Sequence, residues 1–295
     1  MNTKEENSNL KPIIIISSTV LALIAFAANS VLCRFALGKN LIDAASFTSV
    51  RLISGAVMLT FVALFSKEKL NFTFKDNFFS SSMLFIYAVT FSFAYINLST
   101  GTGALILFGA VQLTMIISAL FIGERPNLFE WAGLIMALAG LVYLVSPGLT
   151  APSIGGSVLM LFSGIAWGIY SLRGRRNKHP LISTANNFIL SVPFVIVISI
   201  IFFSQMNISP QGFLLALTSG AVTSGLGYAI WYVALRGLTA TRAATVQLSV
   251  PIIAAIGGVM FLTEEISLRL IIASLLILGG IGMAIVVGKK KKIKI

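Results

Sequence analysis

Charge is what this 295-residue chain lacks: only 10% of its residues are Asp, Glu, Lys or Arg, against 57% hydrophobic. A soluble domain carries roughly 25% charged residues. With a mean hydropathy of +0.97, the chain has too little polar sequence to cover a water-exposed surface, so the bilayer is its solvent. Cysteine is nearly absent as well. Cys33 stands alone, which excludes an internal disulfide and, in an apolar segment, reads as inert packing. One histidine, His179, is present. Without paired intramembrane aspartates, His-Glu-x-x-His, Gly-x-Ser-x-Gly or a Cys/His cluster, the sequence offers no enzyme motif. It implies no metal and no cofactor.

Acids are few, nine against 21 cations, and none falls in the middle of a hydrophobic run. Carriers driven by protons or sodium often use buried carboxylates. The expectation is therefore facilitated diffusion or exchange. The resulting net charge of +12 does not indicate a nucleic-acid partner. The cations cluster in short loops between apolar runs, and Lys289-Lys290-Lys291-Lys292 follows the last run directly, as a topology anchor against anionic headgroups does.

A helix needs about 20 apolar residues to cross roughly 30 Å of hydrocarbon. Ten runs meet that length: 13–34, 44–65, 78–98, 102–122, 128–146, 154–173, 183–204, 211–235, 243–262 and 267–287. Pro193 and Pro251 fall inside runs seven and nine, where each is expected to kink its helix by removing a backbone donor. The first run has no cleavage site with a soluble chain after it and reads as a retained helix. With ten spans, one side receives only Lys39 and Arg269, with Arg34 and Arg51 near it, and all other cations fall on the opposite side. The positive-inside rule then puts both termini, 1–12 and 288–295, in the cytoplasm of a multi-pass protein of the plasma (inner) membrane.

The chain also repeats itself. Ala88-Val89-Thr90 followed by Tyr95 recurs as Ala221-Val222-Thr223 followed by Tyr228, and Val111-Gln112-Leu113-Thr114 recurs as Val246-Gln247-Leu248-Ser249. Glu124 and Glu264 close the following apolar runs and lead into helices with Ala139-Gly140 and Gly279-Gly280. Units of five spans, 13–147 and 154–287, must lie upside down relative to each other because five is odd. The fold class is thus an all-α integral membrane protein of ten transmembrane helices in two inverted five-helix repeats. Such a duplication marks a secondary transporter whose site lies where the copies meet.

Candidate site residues are polar or aromatic groups that are costly in lipid unless they face a cavity or a neighbouring helix. Gln112 and Gln247 sit midway along spans four and nine, at equivalent positions. They hold a ligand or bond another helix. Tyr95 and Tyr228, with Trp231 beyond, are ligand contacts or interfacial belt residues. Asn29 and Trp167 form another equivalent pair, set by aligning Val20-Leu21 with Val158-Leu159. Asn186 and Asn187 match Thr48 and Ser49. Arg51 lies about seven residues into span two, about 10 Å below the outer surface at 1.5 Å per residue. It binds a substrate carboxylate or phosphate, or anchors its helix at the interface.

These features together resemble the EamA-type carriers of the drug/metabolite transporter superfamily. Gln247-Leu248-Ser249-Val250-Pro251, Thr263-Glu264-Glu265-Ile266-Ser267 and Leu276-Ile277-Leu278-Gly279-Gly280 are similar to that family's proline-bearing span, Gly-Glu turn and Gly-ended last helix. In the first half, Gly123-Glu124-Arg125-Pro126 and Met136-Ala137-Leu138-Ala139-Gly140 follow in the same order. Thr263 stands where the turn usually has Gly, and the first half lacks the counterpart of Pro251. The resemblance implies transport of small metabolites. The expected substrate is a small amphipathic solute, an amino acid or related compound, moved outward by alternating access in a monomer. The alternatives are a structural or receptor-like membrane protein and a channel.

Overall fold

The computed structural model describes residues 12–65, 74–121, 128–148, 150–174, 179–235, 237–238, 243 and 246–284. Glu124 and its turn, and both tails, lie outside these residues. The described residues form helices joined by short turns, with one isolated antiparallel bridge, Ile42 to Ile208. In hydrocarbon a helix satisfies its own backbone, so each apolar run becomes one.

The helices are α1 (Pro12–Gly38), α2 (Ala44–Leu64), α3 (Phe74–Tyr95), α4 (Thr100–Phe121), α5 (Leu128–Val145), α6 (Ile154–Gly174), α7 (Pro180–Ile201) and α8 (Pro210–Thr218). A π-helical segment, Ser219–Leu226, carries α8 directly into α9 (Gly227–Leu235). Two shorter apolar helices follow, α10 (Val250–Leu262) and α11 (Leu268–Gly282). Among the described residues, eight helices, with α8 to α9 counted as one, are long and apolar enough to cross a membrane.

Local chemistry sets the boundaries. Asp43, Ser209 and Ser267 each accept a hydrogen bond from the backbone N–H three residues on, capping α2, α8 and α11. Pro193 lies inside α7, which runs through it. Ahead of Pro251, residues 243, 246 and 247 are helical and 248–249 form a turn. The proline, expected to kink this span, stands in the first turn of α10, which begins after that break, where a missing N–H costs nothing and the fixed φ favours starting a helix. Thr263 ends α10 in the left-handed region, at φ 55°. A β-branched residue is strained there and glycine is not, which accounts for the glycine usual in the related turn.

Helices pack mainly across the two halves, and the contacts recur. α3 lies on α6, and their counterparts α8–α9 lie on α1. α4 lies on α6, and α10 lies on α1. α2 meets α7, and α5 meets α11, each helix facing its own counterpart. Small residues allow the last of these contacts. A Cβ on Gly133 would sit 2.3 Å from the Gly280 carbonyl oxygen, and one on Gly280 would sit 2.6 Å from that of Gly133. Membrane helices associate through such close backbone approach, since apolar burial gives little drive within lipid. The outer surface is apolar, with Phe61, Leu64, Ile200 and Phe261 exposed, while Arg51, Asn29 and Gln112 are buried inside.

Gly133→Leu drives its side chain into the backbone of α11. The expected result is loss of monodisperse protein in detergent or a fall of many degrees in melting temperature. Gly155→Ala, with nothing within 4 Å, leaves both unchanged. Size-exclusion chromatography and a thermal melt check the pair.

Candidate functional site

A narrow cavity lies between the halves. Phe26, Asn29 and Ser30 of α1, Tyr87 and Phe91 of α3, and Leu107 and Phe108 of α4 line it from one side. Trp167 of α6, Thr223 and Ser224 of the π segment, and Tyr228 of α9 line it from the other. Its walls are a connected set of rings. Trp167 contacts Tyr87 at 4.7 Å, Tyr228 at 5.1 Å and Tyr170 at 5.3 Å between centroids, and Phe26 meets Tyr228 edge-on at 5.9 Å. Offset and edge contacts are the arrangements that ring quadrupoles favour.

The π segment is the distinctive element. It is rich in small and hydroxyl residues, and π turns inside α-helices are frequent at functional sites. Ser219 and Thr223 donate to Asn29 Oδ1 at 2.6 and 3.3 Å. Ser224 accepts from Arg51 Nε at 3.2 Å. Gly220 is the seat for α2: a Cβ there would lie 2.0 Å from Ser54 Oγ and 2.2 Å from the Arg51 carbonyl oxygen. One segment thereby holds polar side chains of both α1 and α2 against the cavity.

Arg51 is 1% exposed and has no ion-pair partner among the described residues. Its Nη2 donates to Tyr87 Oη at 2.8 Å, and its guanidinium lies over the rings of Tyr87 and Phe91, at 5.1 and 4.9 Å from their centroids. Nη1 has no hydrogen-bond partner. A second polar cluster lies beyond Trp167, where Thr184 bonds Tyr232 Oη at 2.7 Å and Asn187 Nδ2 donates to Tyr170 Oη at 3.4 Å.

Of the residues singled out by sequence, Asn29, Trp167 and Tyr228 line the cavity together, and Arg51 stands directly behind its wall. Trp231 packs behind Phe26, 5.8 Å away. Tyr95 lies behind Phe91, its ring 4.7 Å away and its hydroxyl donating to the Thr100 carbonyl, in space left by Gly103. Gln112 is buried on α4 and Gln247 half-buried ahead of α10, and neither lines the cavity. Sequence reasoning missed Phe26, Tyr87, Phe91 and Ser224. A signal existed for some of them: in the repeat register that aligns Tyr95 with Tyr228, Tyr87 matches Gly220 and Phe91 matches Ser224.

At one end of the bundle, three polar stitches join the halves. Arg34 of α1 pairs with Glu264 at 3.2 Å and donates to the carbonyls of Tyr95 and Ile96, while Glu264 accepts from Thr100 N at 2.8 Å. The backbone of Asp43 donates to Asn207 O, Ser209 N donates to Leu41 O, and Asn207 N donates to the Asp43 carboxylate. Arg269 donates to the carbonyls of Leu144, Ser146 and Pro147. The cations on the charge-poor side are thus engaged, Lys39 lying over the Phe35 ring at 4.4 Å.

Comparison with known proteins agrees with this architecture. The EamA-like transporter family matches the chain twice, over residues 13–146 and 154–286. An uncharacterized protein of Pseudomonas aeruginosa is 48% identical, the match covering 90% of this chain and 92% of that one. The threonine/homoserine exporter RhtA of Escherichia coli is 28% identical, over 86% of each chain. The uncharacterized transporter YoaV of Bacillus subtilis is 22% identical, over 84% of this chain and 89% of that one. A solved crystal structure shares the fold with a TM-score of 0.66 at 19% identity, covering 92% of this chain and 99% of the other.

Proposed function

Since the chain belongs to the EamA-like transporter family, and so is a multi-pass membrane transporter of the drug/metabolite type, we propose that it exports a small amphipathic metabolite, an amino acid or related compound, by alternating access. The observation that carries this reading is the cavity between the halves, lined by rings and hydroxyls from spans equivalent in the repeat. Aromatic faces suit an apolar body, and Asn29, Ser224 and Tyr228 suit a polar head. The name of the E. coli relative, a threonine/homoserine exporter, supports the substrate class and the outward direction.

The proposed topology has ten spans in two inverted repeats, 13–147 and 154–287, with both termini cytoplasmic in the cell membrane. The three stitches then form the closed outer gate. Interhelical hydrogen bonds within membranes average about 0.6 kcal/mol each. A few of them hold an end shut, yet are weak enough to yield to a loaded site. No Asp or Glu is placed mid-span, which favours exchange or facilitated movement over proton coupling.

Reconstituted into liposomes, the protein is expected to show saturable uptake and counterflow of amino acids. A flux that does not saturate, or no flux of any solute, contradicts the carrier reading and favours a channel or a structural role.

The gate has its own reporter. Cys33 is fully buried beside Arg34. Glu264→Gln removes the ion pair, and labelling of Cys33 by a membrane-impermeant maleimide from outside is expected to rise several-fold. Unchanged labelling contradicts a gate at this position.

A further inference from the structure

Arg51 is a charge without a counter-charge. Among the described residues the one ion pair is Arg34–Glu264, and every partner of Arg51 is neutral: Ser224 Oγ on Nε, Tyr87 Oη on Nη2, and the faces of Tyr87 and Phe91. Removing a guanidinium from water without an anion is costly, and its Nη1, buried with no acceptor, adds to that cost. A structural cation in a packed bundle would be expected to find an acid or a full set of carbonyls, as Arg34 and Arg269 do. Three residues hold this one, Tyr87, Phe91 and Ser224, and all three line the cavity. The open valence therefore lies one side-chain layer behind the space where a solute would sit, screened from it by the residues that hold the guanidinium.

We propose that Arg51 is the receptor for a substrate carboxylate, so that the transported class is small monocarboxylates, amino acids included. The assignment rests on the carrier reading and adds its chemistry. The planar fork of a guanidinium matches the two oxygens of a carboxylate. Tyr87 and Ser224 fix that fork, and Nη1 is the donor left for the ligand. The body of the solute then lies on Trp167, Tyr228 and Phe26. A phosphate monoester would bring a second negative charge, whereas Arg34 is occupied by Glu264 and Arg269 by backbone carbonyls. In the repeat register that matches Thr48 with Asn186, the counterpart of Arg51 is Ile189. The halves thus supply one anion seat, not two, and one orientation for the solute.

The test uses the full chain in liposomes, incubated in a bacterial polar-metabolite extract to which paired probes are added at equal concentration. The probes are L-phenylalanine and its amide, L-threonine and its amide, 3-phenylpropionate, and glucose 6-phosphate. Mass spectrometry reads accumulation above protein-free liposomes. The expected result is at least ten-fold preference for each acid over its amide, and a loss of at least ten-fold in acid uptake with Arg51→Gln. Tyr87→Phe and Ser224→Ala each remove one bond from the guanidinium and leave its charge, so each is expected to lower the acid-to-amide ratio about three-fold. These two variants decide the matter if Arg51→Gln does not fold. Equal uptake of acid and amide, an unchanged ratio in the variants, or preference for glucose 6-phosphate overturns the Arg51 assignment and leaves a carrier. No accumulation of any solute overturns the carrier reading itself.

Discussion

Each half of this chain finds its packing partners in the other half, and the rest of the structure depends on that constraint. Helices adjacent in sequence touch little, whereas α3 with α6, α4 with α6, α5 with α11 and α2 with α7 form the broad contacts. Lipid gives apolar side chains no reason to leave it, so association comes from close backbone approach and from polar groups that need partners. Gly133 and Gly280 supply the first between α5 and α11, and Gly164 does so where α6 meets the Leu107 carbonyl of α4. Asn29, Arg51 and the hydroxyls of the π segment supply the second. Two interleaved halves leave a cavity where their polar faces meet, because neither half alone can satisfy those groups.

Symmetry in the packing is matched by asymmetry in the chemistry. Asn29 and Trp167 occupy corresponding positions and face the same space with an amide and an indole. Tyr87 and Phe91 correspond to Gly220 and Ser224, so one half presents rings and the other presents a hydroxyl and a close-packed backbone. Such a site binds a solute with distinct ends in one orientation. Shared backbone architecture favours two conformations of similar energy, and divergent side chains provide the recognition.

Much of the fold was legible in the sequence. The run 44–65 became Ala44–Leu64, 128–146 became Leu128–Val145, and 154–173 became Ile154–Gly174, because in hydrocarbon an apolar run of that length has one good backbone solution. In the ninth span, expected over 243–262, residues 243, 246 and 247 are helical, 248–249 form a turn, and the helix Val250–Leu262 follows with Pro251 in its first turn. A proline inside an apolar run reads the same in sequence whether it kinks a helix or begins one. The site was only partly legible. Repetition pointed to Tyr95 and Tyr228 alike, yet Phe91 and Gly103 place Tyr95 one layer back. The π segment left no periodicity to read, and it is the element that puts Ser224 against Arg51. The pairing of Arg34 with Glu264 joins residues 230 positions apart, a contact that no local pattern encodes.

The account stands or falls on whether the stitched end of the bundle opens during transport. Ile42 and Ile208 face each other as the bridge pair between two backbone hydrogen bonds, Asp43 N to Asn207 O and Ser209 N to Leu41 O. A pair in that position has its Cα atoms about 4.5 Å apart, within the range that a disulfide spans. Counterflow measured on Ile42→Cys/Ile208→Cys in a Cys33→Ser background is the most direct test. The account predicts that oxidation stops exchange and reduction restores it. Exchange at the full reduced rate with the disulfide formed would contradict it.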